Sequence, residues 1–384
     1  MTPVTARDFE ILVIGAGQAG LSAAYHLKRL GLAPERDFLV VDHAPAAGGA
    51  WQFRWPSLTL STVNRVHDLP GMEFAETLPE GSENARAATA VPHYFELYEK
   101  RFDLRVHRPV SVRVVCDRAT PDTCPTGEVD GLLHAETASR ADASGSGADG
   151  QLRVRGLINA TGTWEKPFVP YYPGAETFAG RQVHAHDYRT ADAFAGEHVV
   201  VVGAGVTAVQ LLDEISQVTT TTWVSRTEPR WREGPFTPDA GRRAVAMVED
   251  RVRRGLPPRS VVSVTGLPVD DRVRAARARG ALDWHPMFRS IEPEGVRWAD
   301  GKFQPARVIL WATGFRSALD HLAPLRLRGP GGGITMTGRL ATQVASDPRI
   351  HLLGYGPSAS TIGANRAGQA AAVELTTHLG LRQS

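Results

Sequence analysis

Two glycine-rich turns are the segments of this chain best suited to bind a ligand. Residues 11–20 read ILVIGAGQAG, and residues 199–208 read VVVVGAGVTA. Each turn follows a short apolar run and opens a helical pattern. Glycines let the backbone approach a diphosphate, and the helix N-terminus donates N–H groups to it. The pair predicts a protein that holds two dinucleotides and passes electrons between them. The residues expected at the two diphosphates are Gly15, Gly17, Gln18, Ala19, Gly20, Gly203, Gly205, Thr207 and Ala208.

The residue at the end of the next apolar run separates the two ligands. After the first turn, residues 38–41 end at Asp42 and His43. A carboxylate there accepts hydrogen bonds from the adenosine ribose and repels a 2′-phosphate, which suits FAD or NAD. After the second turn, the run ends at Ser225, Arg226 and Thr227. A guanidinium and hydroxyls suit the 2′-phosphate of NADPH. The alternative is that these are ordinary surface residues at strand ends, but opposite charges at equivalent places favour two nucleotides.

Composition limits the classes of protein to consider. The chain has 384 residues, enough for two domains, with 42% hydrophobic and 22% charged residues. Its formal net charge of +2 argues against nucleic acid as the main partner. No apolar stretch is long enough for a membrane span, and the first residues do not resemble a signal peptide. The two cysteines, Cys116 and Cys124, are not a CxxC dithiol. We expect a cytoplasmic protein.

Two further strand-like runs end in the tripeptide Ala-Thr-Gly, at residues 158–162 and 309–314. They place Thr161, Gly162, Thr313 and Gly314 where a backbone passes close to a nucleotide or turns into another domain. A plain strand followed by a turn is the alternative for either copy. Because the pair brackets the second glycine turn, we predict an α/β fold of two Rossmann-like domains, the second inserted into the first. The expected limits are 1–165 plus 315–384, and 166–314.

The remaining segments carry less chemistry. A helix is expected over residues 93–102. Residues 110–116, 132–137 and 152–158 predict a β-meander with polar loops at 117–130 and 139–150. Near the end, a strand at 351–356 precedes a helix over 364–379. Thr361 and Ile362 would place the N-terminus of that helix at the pyrimidine edge of a flavin. A plain amphipathic helix that docks on the sheet is the alternative.

With these residues in view, the chain resembles the class B flavoprotein monooxygenases, close to the flavin-containing monooxygenases and their short bacterial homologues. The resemblance covers nearly the whole chain. Its most specific segment, residues 178–189, reads FAGRQVHAHDYR and is similar to the identifying motif of that class. The final Tyr188-Arg189 resembles the flavin-containing monooxygenase branch more than the Baeyer–Villiger branch. The other matching segments are GAGQAG at 15–20, GGAW at 48–51, ATG at 160–162, WATGF at 311–315 and GYG at 354–356.

The resemblance implies a fold of the glutathione-reductase (GR2) type with FAD in the first domain and NADPH in the second. Reduced FAD would add dioxygen at C4a, and the resulting hydroperoxide would oxygenate a small sulfide, an amine or a ketone. Gly49, Ala50 and Trp51 would cover the flavin, and residues 55–64 would run past its reactive face. Ser61 stands where animal and methylotroph relatives place an Asn beside the reacting flavin carbon, so Ser61 and Asn64 are the candidate catalytic residues. Arg226 and Thr227 imply a preference for NADPH.

Other readings stay open at this point. The same scaffold serves NADPH:quinone and disulfide oxidoreductases, and a flavin redox sensor also fits. His184, His186 and Asp187 lie close enough in sequence to suggest a metal cluster, but the pattern is weak and we expect no metal. The expected partners are a small substrate and dioxygen, with no nucleic acid or membrane. The sequence leaves a homodimer open.

Overall fold

Strands and helices alternate along most of the chain. The computed structural model describes residues 7–63, 66–118, 130–139, 149–232, 234, 238–258 and 266–381. In chain order, the helices are α1 (Gln18–Arg29), α2 (Ala87–Arg101), α3 (Val206–Ile215), α4 (Pro238–Arg253), α5 (Asp271–Ala278) and α6 (Thr361–His378). The strands are β1 (Arg7–Ile14), β2 (Phe38–Val41), β3 (Val110–Cys116), β4 (Leu133–Ser139), β5 (Asp149–Asn159), β6 (Arg181–His184), β7 (Val199–Val202), β8 (Thr221–Ser225), β9 (Trp231–Arg232), β10 (Leu267–Pro268), β11 (Trp284–Pro286), β12 (Ser290–Glu292), β13 (Gly295–Arg297), β14 (Phe303–Pro305), β15 (Val308–Trp311), β16 (Met336–Thr337), β17 (Gln343–Val344) and β18 (Ile350–Leu352).

The first sheet has the order β16-β17-β18-β5-β1-β2, and β3 and β4 extend it from β5. Strand β1 runs parallel to β2 and β5, and β18 runs parallel to β5. Both faces of β1 are buried: Ile11 and Val13 pack under α1, α2 and α6, and Leu12 packs on the opposite side. A parallel strand covered on both faces is expected to be a continuous apolar run, as β1 is.

The second sheet has the order β11-β8-β7-β15-β6, and its strands are all parallel. Its strands come from the part of the chain between β5 and β16. Strand β7 consists of four buried valines. Three shorter strands, β12 to β14, form a separate antiparallel sheet. The parallel strands β2, β1, β5 and β18 of the first sheet and the parallel second sheet confirm the predicted fold class, with one nucleotide-binding unit inserted into the other.

The chain crosses between the sheets twice, and the two crossings pair with each other. Pro167 and Phe315 form an antiparallel bridge. Phe168 N donates to Gly314 O at 3.0 Å, and Arg316 N donates to Lys166 O at 2.8 Å. These pairs lie beside the predicted domain limits of 165/166 and 314/315. The exact limits stay a prediction.

Three local elements differ from the sequence-based expectations. The last strand of the predicted meander and the strand before Ala160 are one element, β5, which pairs antiparallel with β4 and parallel with β1. Helix α2 was expected near residue 93 and begins at Ala87, with Pro92 inside it. The Pro92 ring packs on Gly48, where an added Cβ would lie 2.7 Å away. Cys116 is disulfide-bonded, which the sequence analysis did not anticipate, and Cys124 lies outside the described residues.

Candidate nucleotide sites and the contacts between them

The first glycine turn is closed by backbone contacts that leave no room for side chains. Gly15 N donates to Val41 O at 2.7 Å. A Cβ on Gly15, which has a φ of +96°, would lie 2.6 Å from Ala160 O. A Cβ on Gly20 would lie 1.8 Å from Gly15 O. Both positions therefore require glycine in this structure.

The N-terminus of α1 is open toward a ligand. Gly17 is its N-cap and no side chain caps the helix. A Cβ on Gly17 would meet nothing within 4 Å, whereas a Cβ on Gly49 would lie 3.0 Å from Gly17 Cα. The turn that contains Gly49, Ala50 and Trp51 thus lies against the glycine turn. The free N–H groups of the helix and the open space beside Gly17 fit the diphosphate of FAD.

Two neighbours of Gly17 are buried and serve the packing of the turn. Ala19 is buried in the core under the first sheet. The Gln18 amide donates to His67 O at 3.0 Å and to Asn365 Oδ1 at 2.9 Å, which ties the turn to α6. Gln18 Oε1 is buried without a hydrogen-bond partner in the described structure. That oxygen is free to accept a hydrogen bond from a bound ligand.

Asp42, at the end of β2, is buried and ion-paired. Arg108 Nε donates to Asp42 Oδ2 at 3.0 Å, and the two terminal nitrogens of Arg108 each donate to a Glu99 oxygen at 2.6 Å. Burial raises the pKa of Glu99 despite that guanidinium. Among the described residues, the contacts of Asp42 Oδ1 are a long one from Ala44 N at 3.5 Å and one to His43 Nδ1 at 3.7 Å. One carboxylate oxygen therefore stays available to a ribose hydroxyl.

The two Ala-Thr-Gly segments hold the crossings together through their threonine hydroxyls. Thr161 Oγ1 donates to Ala318 O at 2.7 Å, and Thr313 Oγ1 donates to Phe168 O. Asn159 supports the first of these, because its amide donates to Thr161 Oγ1 at 3.0 Å. The backbone of these segments was expected beside a nucleotide or at a turn into the other domain, and the threonine hydroxyls form contacts between the crossings. Gly162 and Gly314 follow with φ values of +65° and +78°.

The second glycine turn repeats the backbone plan of the first. Gly203 N donates to Val224 O at 2.9 Å, and a Cβ on Gly203 would lie 2.3 Å from Ala312 O. Gly205 is the N-cap of α3, without a side-chain cap, and a Cβ there would meet nothing within 4 Å. Trp223 Nε1 donates to Gly203 O at 2.7 Å. This opening fits a second diphosphate.

Two helix positions after the second turn differ in exposure. Ala208 is fully buried, at the place that Gly20 occupies in the first turn. Thr207 is half-buried in the first turn of α3. Ala208 therefore packs into the core, and the N–H groups of this turn remain the donors for a ligand.

At the end of β8, Arg226 has no ion-pair partner among the described residues, whereas the Ser225 hydroxyl is hydrogen-bonded. Ser225 Oγ donates to Thr227 O at 2.7 Å and accepts from Trp284 Nε1 at 2.8 Å. Arg226 and Thr227 are exposed. No carboxylate of the described chain pairs with Arg226. The Ser225 hydroxyl shapes the loop, and the Arg226 guanidinium is left for an external anion.

Helix α3 also forms hydrogen bonds with residues 55–63, the loop that was predicted to run along the flavin. Glu214 Oε1 accepts from Trp55 Nε1 at 3.2 Å, and Glu214 Oε2 accepts from Ser57 Oγ at 2.7 Å and from the Tyr188 hydroxyl at 2.8 Å. One turn earlier, Gln210 Nε2 donates to Thr62 O at 3.0 Å. Burial and the Glu214 carboxylate raise the pKa of Tyr188, so its hydroxyl stays a donor.

The two candidate catalytic residues lie on or beside this loop. Ser61 is exposed, and its hydroxyl is 2.9 Å from Thr59 Oγ1 and donates to Asn84 Oδ1 at 3.2 Å. Its backbone N donates to Glu83 O at 2.8 Å. Asn64 lies outside the described residues. The role of both residues stays a prediction.

Helix α6 begins three residues earlier than the sequence predicts, because Ser360 caps its N-terminus. Ser360 Oγ accepts from Gly363 N at 3.1 Å, and Thr361 is the first helical residue. The side chain of Ile362 lies outside the described part of the structure. A Cβ on Gly354 would lie 3.6 Å from Gly162 Cα, so the strand before α6 reaches the first crossing.

The histidines of residues 178–189 have structural partners. His184 Nδ1 accepts from His186 N at 3.0 Å, so its Nε2 donates to Gly314 O at 3.1 Å. Burial lowers the pKa of His184. His186 contacts Asp187 at 2.7 Å. Across the described ranges, no three or more His, Cys, Asp or Glu side chains form a group able to hold a metal ion.

Comparison with known proteins places this arrangement in a family. Residues 9–354 match the family model described as pyridine nucleotide-disulphide oxidoreductase. A solved flavin-containing monooxygenase from Stenotrophomonas maltophilia is 32% identical, covers 97% of this chain and 99% of its own, and superimposes with a TM-score of 0.75. A double mutant of the Stenotrophomonas flavin monooxygenase that carries Arg and Thr in place of Gln and His gives a TM-score of 0.76.

Curated relatives match over shorter stretches. A Baeyer-Villiger monooxygenase of Streptomyces coelicolor is 30% identical over 256 residues, which is 64% of this chain and 42% of that protein. A probable indole-3-pyruvate monooxygenase of Arabidopsis thaliana is 28% identical over 204 residues, 52% of this chain and 42% of that protein. The chain thus spans less than half the length of these two relatives.

The family model and the full-length similarity to the Stenotrophomonas protein agree with the two nucleotide openings. The chain belongs to the pyridine nucleotide-disulphide oxidoreductase family and, within it, to the flavin-containing monooxygenases. FAD and NADPH, the expected cofactors, are the cofactors of that family. Among the residues described, no helix has the length and apolar character that a bilayer span requires.

Proposed function

We propose that this protein is an NADPH-dependent flavin monooxygenase that oxygenates a small soft nucleophile, a sulfide or an amine, or a ketone. The observation that carries the proposal is the pair of open helix N-termini, with a buried carboxylate at one strand end and a free guanidinium at the other. Asp42 suits the unphosphorylated ribose of FAD, and Arg226 suits the 2′-phosphate of NADPH.

When bound, NADPH and FAD would supply the hydride and oxygen chemistry. The chain binds and orients them. In the first unit, the α1 N-terminus and Gly49 would hold the FAD diphosphate, and Trp51 would cover the ring system. In the second, the α3 N-terminus would hold the other diphosphate, with Arg226 and Thr227 at the 2′-phosphate.

Helix α3 links the two tasks. Its N-terminus lies at the proposed NADPH diphosphate, and Gln210 and Glu214 hold the loop of residues 55–63 through direct hydrogen bonds. That loop would lie over the reacting face of the flavin. A loop fixed at both Trp55 and Thr62 excludes water from the flavin, which protects oxygen transfer from loss as hydrogen peroxide.

The crossings fix the distance between the units. The domain limits that we propose, 165/166 and 314/315, lie at the paired segments around Pro167 and Phe315. Thr161 and Thr313 bind the opposite crossing with their hydroxyls. Such pairing would hold the two units in a fixed relative position, as hydride transfer between two bound nucleotides requires.

Stopped-flow oxygenation of the reduced protein tests the proposal. Purified protein would be reduced with NADPH without oxygen and then mixed with aerated buffer. We expect a transient absorbance band distinct from reduced and oxidised flavin, and an oxygenated product when a thioether, amine or ketone is present. Direct return to oxidised flavin, with no oxygenated product from any of the three, would favour a quinone-type oxidoreductase, an oxidase or a redox sensor.

A further inference from the structure

Arg54 is a half-buried cation that has no counter-ion among the described residues. It directly follows the short 3₁₀ helix Gly49–Phe53 and has extended backbone. Its guanidinium carbon lies 4.5 Å from the ring centroid of Trp164 and 5.8 Å from that of Trp51. Arg54 Nε is buried and has no hydrogen-bond partner in the described part of the chain. Within the described ranges, no carboxylate lies at ion-pair distance from this guanidinium.

Arg108 shows how this chain treats a buried guanidinium that has only a structural role. All three of its nitrogens donate to carboxylates, at Asp42 and Glu99. Arg54 has aromatic rings in place of carboxylates, and burial lowers its pKa to about 10. It therefore stays charged at neutral pH in surroundings that disfavour the charge. Stacking on tryptophan offsets part of the desolvation cost but does not satisfy the N–H donors.

The position of Arg54 points to the gap between the nucleotide openings. The Trp164 ring, on which Arg54 stacks, follows Gly162 at the carboxyl end of β5. The same ring lies 5.2 Å from the Phe315 ring, which follows Gly314 at the carboxyl end of β15, and 4.5 Å from the His186 ring. Ligands of parallel sheets bind at these carboxyl edges. Arg54 thus lies where the two edges meet.

We propose that Arg54 is a binding site for an anionic oxygen group, a carboxylate or a phosphate, presented between the two nucleotide sites. The favoured source is a carboxylate on the substrate, because each diphosphate already faces an uncapped helix N-terminus of its own. A guanidinium fixed against two indole rings presents its donors in one plane, which matches a carboxylate. The choice of substrate as the source rests on the proposed function, and it names acidic thioethers, amines or ketones as the substrate class.

The test compares Arg54→Gln and Arg54→Lys with a matched control, Arg277→Gln. Arg277 is exposed and its guanidinium carbon lies 4.2 Å from the Trp231 ring centroid, so this control also removes an arginine from a tryptophan face. Binding of 4-(methylthio)benzoate, methyl phenyl sulfide and NADP⁺ to the oxidised holoenzyme would be measured from changes in the flavin spectrum. Flavin content is recorded for each variant.

We expect Arg54→Gln to weaken binding of the acidic thioether about tenfold or more while the neutral thioether changes less than about twofold. Arg54→Lys retains part of the affinity, and Arg277→Gln changes neither ligand. A selective loss of NADP⁺ affinity or of FAD content would place the anion on a dinucleotide phosphate instead. Unchanged binding of all three ligands and full flavin content would overturn the site.

Two controls keep the result separate from the proposed function and from folding. The binding titrations need no turnover, so a protein that forms no oxygenated product still tests Arg54. If Arg54→Gln is insoluble, the wild-type protein and Arg54→Lys are compared across ionic strength. If binding depends on the charge of Arg54, salt should weaken binding of the acidic thioether and not binding of the neutral one. Equal salt responses for both thioethers contradict it.

Discussion

The two nucleotide openings share one backbone plan and differ in their charges. At the first, a Cβ on Gly15 would strike Ala160 O, and at the second a Cβ on Gly203 would strike Ala312 O. In both, an uncapped helix begins at a glycine that faces open space. The close approach of a backbone carbonyl dictates the glycines. Both units therefore repeat the backbone geometry on which the proposed diphosphate binding depends.

The strand ends set the two openings apart. Asp42 is 4% exposed, and Arg108 neutralises one of its oxygens. Arg226 is exposed and no described carboxylate pairs with it. A buried carboxylate needs a counter-ion, whereas a site for a phosphate dianion must keep its guanidinium free. Under the proposed function, the same turn would therefore serve two different nucleotides through one residue at each strand end.

The largest effect is expected when the small residues at equivalent positions of the two turns are exchanged, as Gly20→Ala in the first turn and Ala208→Gly in the second. An Ala at Gly20 would place its Cβ 1.8 Å from Gly15 O, so Gly20→Ala should lower the free energy of unfolding by ~3 kcal/mol or more and abolish FAD binding. Ala208→Gly should cost only ~1 kcal/mol. Thermal melting and flavin content measure both. Similar losses in the two variants would contradict the difference between the turns.

Arg226→Ala tests whether the exposed guanidinium at the second opening binds the 2′-phosphate. Loss of a charged hydrogen bond to the 2′-phosphate should cost ~1.5–3 kcal/mol, which raises the KM for NADPH about 10- to 150-fold. The KM for NADH should change little. Arg230→Ala, at a nearby exposed arginine, serves as the matched control. Equal effects of Arg226→Ala on both cofactors would remove Arg226 from the 2′-phosphate.

Asp42→Ala probes the first opening. The free Oδ1 should contribute about 1.4 kcal/mol to the ribose contact, so the Kd for FAD should rise about tenfold. Arg108 keeps both bonds to Glu99, so the variant should fold. Asp8→Ala removes an exposed carboxylate paired with Arg153 and should retain full flavin. A variant at Asp42 that also purifies with full flavin would refute the ribose role.

Acid should weaken the protein through two buried histidines, His321 and His351. Burial lowers the pKa of His321 to about 4 and that of His351 to about 3, where His378 adds to the effect. Both are neutral when folded and titrate near 6.5 when unfolded, so the unfolded chain binds more protons between these values. Stability is complete above about pH 6.5 and falls as pH drops toward 4.

Each histidine contributes up to about 1.4 kcal/mol per pH unit in that window. His351→Gln should reduce the slope of the melting temperature against pH between pH 4 and pH 6. The reduction should correspond to about one proton bound on unfolding. His93→Gln, at an exposed position on α2, should leave the slope as it is. A slope unchanged by His351→Gln would show that His351 is not responsible.

The fold class and the cofactors could be predicted because their signals are local in sequence. The apolar runs, the glycine turns and the Ala-Thr-Gly repeats each lie within about ten residues, so their geometry follows from backbone rules. Confirmation came from the parallel strands of the two main sheets and from the family match. The exact domain limits and the roles of the predicted site residues stay predictions.

The contacts that position the sites could not be predicted, because they join residues far apart in sequence. Arg108 reaches Asp42 across 66 residues, and Glu214 reaches Trp55 across 159. No periodicity or motif marks such pairs. The Ala-Thr-Gly hydroxyls illustrate the same limit, because whether a threonine faces a nucleotide or the other crossing depends on the tertiary packing.

Anaerobic titration of the purified protein tests the central claim, that one chain holds FAD and NADPH face to face. The account predicts a yellow protein whose flavin is bleached by about one equivalent of NADPH, and much more slowly by NADH at the same concentration. A protein that stays colourless when offered FAD, or that is bleached by the two nucleotides at equal rates, would contradict it.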